Sequence, residues 1–162
     1  MTKLLDIYIA EINAIKHVTG LLPSLIMQVI TREEILAFQR NGGNALGITD
    51  KDGPLLRKSS STLHMTWVLL IVPKVICNAI RWNEPIDDTT VQGAGNKIMD
   101  RAVALAEKMS VHHRFIYQNY ANKTQDVFGS YGEENKKRLV QIQKKYDSEG
   151  IFRRFQPGYF TL

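Results

Sequence analysis

Cysteine is nearly absent. Cys77 is the one thiol in 162 residues, so neither an internal disulfide framework nor a thiolate-held metal cluster can form within the chain, and nothing depends on an oxidising compartment. Neither sign of charge dominates. The 21 basic and 16 acidic side chains leave a formal charge of +5 and a pI near 9.4, a mild excess that gives no basic tail for nucleic acid. No hydrophobic run reaches the ~20 residues of a membrane span. The most apolar stretch, Leu63 to Ile80, is interrupted by His64, Pro73, Lys74 and Asn78 and reads as a buried strand or pair of strands. Met1 to Tyr8 lacks the basic, apolar, then small-residue order of a secretory signal. Internal repeats and a regular βαβ period are missing as well, which argues against a solenoid or a doubly wound sheet. No nucleic-acid or membrane partner is expected.

With 44% hydrophobic and 23% charged residues, the chain is long enough for one globular domain with a core and too short for two comfortable ones. Leu4, Leu5, Tyr8, Ile12 and Ile15 recur at helical spacing, with Gly20 and Pro23 as the stop. Leu25 to Ile30 reads as a buried strand. Thr31 and Glu34 have capping-box spacing, which starts a short helix ended by Asn41, Gly42 and Gly43. From Asn41 to Pro54 the Gly, Asn, Asp and Pro content predicts a loop in which glycines can take positive φ. Val91, Ala94, Ile98, Ala102, Leu105 and Met109 define one helical face, with Asp87 and Asp88 near its positive end. Arg114 to Tyr120 has strand composition. Ser130 and Glu133 repeat the capping-box spacing ahead of a helix with Leu139, Ile142 and Tyr146 as its apolar stripe. The expected class is α+β, an antiparallel sheet backed by helices.

Few side chains outside one cluster suggest chemistry. His112 and His113 are adjacent and would face opposite sides of a strand, so no metal site is expected. Cys77 and His64 lie in apolar surroundings, where a small buried residue and a satisfied core histidine explain them. Gly93-Ala94-Gly95 lacks the preceding strand and further glycine of a dinucleotide fingerprint. Lys136, Lys137, Arg138, Lys144 and Lys145 read as the solvated face of the last long helix. The exception is Tyr117-Gln118-Asn119-Tyr120. Read as sheet packing, it is an aromatic strand; read as a site, it meets a geometric condition, because in a flat strand Tyr120 points away from Tyr117 and Asn119. Both tyrosines reach one site only if the strand ends or bulges near Tyr120.

That motif, with Phe115 to Asn122, Ser130 to Leu139 and Lys145 to Phe152 around it, resembles the closing segment of the berberine-bridge-enzyme-like FAD-linked oxidases. The likeness extends upstream through Thr19 to Pro23, Asn41 to Asn44 and Asp52 to Pro54. It implies that residues 1–162 are a single partial domain: a portion of the substrate domain plus a berberine-bridge-like segment over about 115–162. The family's flavin-binding domain precedes this portion, normally in the same chain. The resemblance implies oxidation of a small organic alcohol, sugar or secondary metabolite by hydride transfer to FAD. By the same resemblance Tyr120 is the general base, Tyr117 shapes the substrate pocket and Asn119 hydrogen-bonds near the flavin ring, while Cys77 has no context matching covalent flavin attachment. A tyrosine serves as a base when a neighbour stabilising phenolate lowers its usual pKa of ~10. The compartment of this chain stays open, although the resemblance implies full-length relatives that are often secreted. The chain departs from the family at Asn122, where an aspartate is common, and at Arg57 to Thr62 and the apolar stretch beyond, where relatives run directly into a strand. The alternative is a stand-alone, non-redox binding or cyclase-like protein derived from the same fold, and apolar residues around Ile151 to Phe160 leave room for self-association.

Overall fold

A computed structural model describes residues 2–49, 74–155, 160 and 162. The Asp52–Pro54 turn, Arg57 to Thr62, most of the Leu63–Ile80 stretch with His64 and Pro73, and Tyr159 lie outside the described residues. The elements are α1 (Thr2–Ala14), β1 (Leu22–Val29), α2 (Arg32–Phe38), β2 (Lys74–Arg81), α3 (Asp88–Lys108), α4 (Val127–Ser130), α5 (Glu133–Tyr146) and α6 (Ile151–Phe155). The architecture is α+β. It divides into two compact units, Met1–Ile30 with Pro54–His112, and Thr31–Gly53 with His113–Leu162.

The first unit is organised by apolar periodicity. Strands β1 and β2 pair antiparallel from Leu22 opposite Arg81 to Val29 opposite Lys74. Helix α3 packs against both α1 and β2. Ile15, Val18, Val91 and Ala94 are buried there, with Ile12, Leu21, Ile80 and Trp82 packed around them, and Ile98 is fully enclosed. Trp82 Nε1 donates to Asp88 Oδ1 at 2.7 Å, tying the end of β2 to the start of α3. The bend before β1 needs Gly20: its φ is +71°, and a Cβ would strike the Asn83 side chain. Arg101 on α3 pairs with Glu11 on α1 at 2.5 Å. Gly93 and Gly95 lie inside α3, away from any phosphate-binding turn. Because alternate strand residues face opposite ways, the strand expected to be buried is only half so: Leu22 is 64% exposed and Ile26 40%.

In the second unit the capping box at Thr31 forms as expected. Thr31 N–H donates to Glu34 Oε2 at 2.6 Å, and Glu34 N–H donates to Thr31 Oγ1 at 3.2 Å. A 3₁₀ turn over Arg40–Gly42 follows α2, and Gly42 and Gly43 take φ of +95° and +92°. Three other expectations are corrected. Arg114 to Tyr120 is not a strand: it has no ladder partner among the described residues, and side chains take its amides instead, Phe115 N–H to His113 Nδ1 and Ile116 N–H to Ser130 Oγ, each at 3.1 Å. The second capping box does not form, because the Ser130 hydroxyl turns back to donate to Val127 O at 2.6 Å and Gly132, at φ +93°, caps α5 without a side chain. The stripe on α5 is not core: no residue of α5 is buried, and Ile142 and Tyr146 are exposed. His112 and His113 lie on an irregular segment rather than a strand. Among the described residues, no helix is long and apolar enough to cross a membrane.

Candidate functional site

Tyr117, Asn119 and Tyr120 are brought together by a 3₁₀ turn over Gln118–Tyr120. Tyr117 ends the extended arm at φ −77°, ψ 112°, and Tyr120 N–H donates back to Tyr117 O at 3.0 Å. An i to i+3 turn places residues three apart on one side, where a flat strand would have set them on opposite faces. The two rings meet edge to face, with centroids 4.9 Å apart and planes at 84°. Asn119 Nδ2 donates to the Tyr117 hydroxyl at 2.9 Å. With no strand here, the two tyrosines are not set on opposite faces of a sheet, and the extended arm gives way to the turn at Tyr117. Tyr117 is half-buried, whereas Asn119 and Tyr120 are exposed.

The next residues close the turn with local hydrogen bonds. Asn122 Oδ1 accepts from both the amide and the hydroxyl of Thr124 at 3.1 Å, and Asn122 N–H donates to Gln125 Oε1 at 2.8 Å. Asp126 serves a helix start. It is the N-cap of α4, accepting Gly129 N–H at 2.9 Å, with Lys136 Nζ 3.8 Å from its other oxygen.

Beneath the turn lies an aromatic and polar support that the sequence reading missed. The Phe115 ring stacks on Tyr131 at 6.0 Å and 22°, and Phe128 meets Tyr131 edge to face at 5.9 Å. Tyr131 is buried, and desolvation raises its hydroxyl pKa above 10.0. Burial likewise pushes the Cys77 thiol upward, so that residue is an inert packing group rather than a reactive thiolate. Arg114 donates through Nη1 to Ser130 O at 2.6 Å and through Nη2 to Gly47 O at 2.9 Å. The available signal for these residues was weak: an arginine at the head of an aromatic run and glycines in a loop. Among the described residues, no group of three or more His, Cys, Asp or Glu side chains is placed to hold a metal ion.

The end of the arm, the 3₁₀ turn, α4, α5 and α6 coincide with a stretch known from other proteins. Residues 116–157 match the family described as berberine and berberine-like. These residues form a berberine-like segment. The match covers the turn bearing Tyr117, Asn119 and Tyr120 and the Tyr146-Asp147 corner, where Asp147 Oδ1 accepts Phe152 N–H at 3.2 Å to start α6. The chain is also similar over most of its length to parts of longer proteins. The FAD-dependent monooxygenase FUP4 of Fusarium proliferatum is 29% identical over 147 residues, which is 90% of this chain and 25% of that protein. The FAD-dependent monooxygenase tpcD of Cochliobolus heterostrophus is 31% identical over 137 residues, 84% of this chain and 23% of that protein. A protein named oligopeptidase PhomG' from Diaporthe leptostromiformis is 29% identical over 92% of this chain, but the shared part is only 11% of that protein. The chain spans about a quarter of the length of the two monooxygenases. No solved structure matches it.

Proposed function

We propose that the chain supplies the substrate side of an FAD-linked oxidoreductase, with Tyr120 as proton acceptor, Tyr117 as a wall of the substrate pocket and Asn119 as the polar contact to the flavin ring edge. Its substrate would be a small organic alcohol, sugar or secondary metabolite. The carrying observation is the turn that sets the Tyr117 and Tyr120 rings 4.9 Å apart with the Asn119 amide on the Tyr117 hydroxyl, inside a berberine-like segment.

The donor set fits contact with the edge of a ring system. It does not fit the holding of a whole dinucleotide: the arginine of the arm, Arg114, is committed to two carbonyls, and the first turns of α3 and α5 carry Asp88 and Glu133 with Glu134, which disfavour a diphosphate. The flavin-binding domain would hold the rest. When bound, FAD supplies the two-electron acceptor for the hydride leaving the substrate carbon. This chain's own residues handle the proton and the pose. Tyr120, as its phenolate, takes the proton of the substrate hydroxyl as the carbonyl forms and returns to the neutral phenol. The edge-to-face contact with Tyr117 fixes the Tyr120 ring, and Asn119, by donating to the Tyr117 hydroxyl, fixes where that hydroxyl can itself donate. We further propose that the exposed apolar side chains Tyr146, Phe152 and Phe155 form an association surface, covered by the flavin-binding domain or by self-association.

The test is rapid-reaction reduction of flavin by substrate in a protein joining this chain to a matching flavin domain. Tyr120→Phe should slow the reductive step by ~100-fold or more while flavin content stays the same. Unchanged reduction would remove Tyr120 from the mechanism and leave the motif as packing.

A further inference from the structure

We propose that Arg114 is the positioning residue of the Tyr117–Tyr120 turn, a role that rests on reading that turn as the site. Its planar guanidinium bridges two separate segments, the loop at Gly47 and the end of α4 at Ser130, through charge-assisted hydrogen bonds of 2.9 and 2.6 Å. Both flanks of the clamp are shaped by glycine. A Cβ on Gly47, whose φ is +67°, would collide with the Tyr131 carbonyl oxygen, and a Cβ on Gly132 would lie 3.3 Å from Arg114 Nη1. The next two residues are pinned to the same place, Phe115 by stacking on Tyr131 and Ile116 by its amide on Ser130 Oγ. Three consecutive residues are thus anchored to Ser130 and Tyr131, so the chain enters the turn at Tyr117 from a fixed point and in a fixed direction. The arginine also reaches the Gly47 loop. A lysine at this position keeps the charge but, as a point donor on a flexible stem, loses the two-pronged fit.

The clamp is tested without flavin, in the 162-residue chain, by nuclear Overhauser contacts between the Tyr117 and Tyr120 rings in Arg114→Met and Arg114→Lys variants. The contact between Phe128 and Tyr131 serves as the internal reference for a folded unit. In the Met variant the ratio of closed to open turn should fall about tenfold or more, as expected on losing charge-assisted hydrogen bonds, with the Lys variant intermediate and the reference contact intact in both. If the Met variant loses the reference contact, the Lys variant decides: a weakened tyrosine contact beside an intact reference supports the clamp. Unchanged tyrosine contacts in a folded variant would overturn it, and so would loss of the reference in both variants, which would make Arg114 a folding residue. Because this readout involves no redox chemistry, the clamp can fail while Tyr120 remains the base, and the reverse.

Discussion

Helix α3 spans 21 residues and buries Val91, Ala94, Ile98 and Ala102 along one face; helix α5 spans 14 residues and buries none. That contrast runs through the two units. In the first, helices and strands meet through apolar side chains at regular spacing, and polar contacts such as Arg101 with Glu11 sit at the margin. In the second, buried apolar residues are few, chiefly Ile35, Ile48, Val127 and Tyr131, and the arm bearing the tyrosine turn is placed by side chains bonding to backbone: Arg114 to two carbonyls, Ser130 to an amide and a carbonyl, Asp126 and Asp147 to helix-starting amides. Apolar burial is nondirectional and sets which elements pack. Hydrogen bonds to specific carbonyls are directional and set where a few side chains point. The candidate site lies in the unit built the second way.

If that division is real, truncation should hurt far more on the apolar face of α3 than on the stripe of α5. Ile98→Ala removes a fully enclosed side chain and should cost about 2–5 kcal/mol in urea unfolding, whereas Ile142→Ala, on an exposed stripe of α5, should change stability by less than about 0.5 kcal/mol. Comparable losses at the two positions would erase the distinction. In the second unit the sensitive positions should be backbone ones. Gly47→Ala forces a Cβ into a left-handed backbone conformation and against the Tyr131 carbonyl, and should cost about 1–3 kcal/mol, read as loss of Phe128–Tyr131 contact signals before those of α3.

The smallest effect should be a pH dependence that separates the units at high pH. The folded-state pKa of Tyr131 is raised by desolvation above the unfolded value of 10.0, so its contribution to stability is complete below pH 10 and declines as pH rises through the folded pKa. Tyr131→Phe should remove that part of the alkaline decline. Cys77 in the first unit has its own rise above 9.0, with the same sign, and Cys77→Ala should leave the second unit's alkaline behaviour unchanged.

The same contrast governs what could be read from the residues. The face of α3 was legible from Val91 to Ala102 because burial imposes a 3.6-residue period, and the Thr31–Glu34 box was legible because its two hydrogen bonds need fixed spacing. Ser130 and Glu133 have that spacing too, yet no box forms: the arm's Ile116 amide and the Val127 carbonyl take the hydroxyl first. The distant Ile116 amide and the turn of α4 itself decided that competition, and the Ser130–Glu133 spacing carries no information about either. The strand expected at Arg114 to Tyr120 failed for a related reason, since aromatic and β-branched composition specifies a ladder only where a partner strand exists. Tyr117, Asn119 and Tyr120 were singled out through resemblance, while the turn that brings them together was not foreseen, only a strand that ends or bulges near Tyr120.

The central claim is that this chain presents a proton acceptor to a flavin that it does not itself hold. The most direct measurement is the visible absorption spectrum of the purified 162-residue chain, before and after addition of free FAD and removal of the unbound excess. A colourless protein that retains little FAD is the expected result, because contacts to one ring edge leave little affinity after the costs of association. A yellow preparation carrying stoichiometric flavin would contradict it.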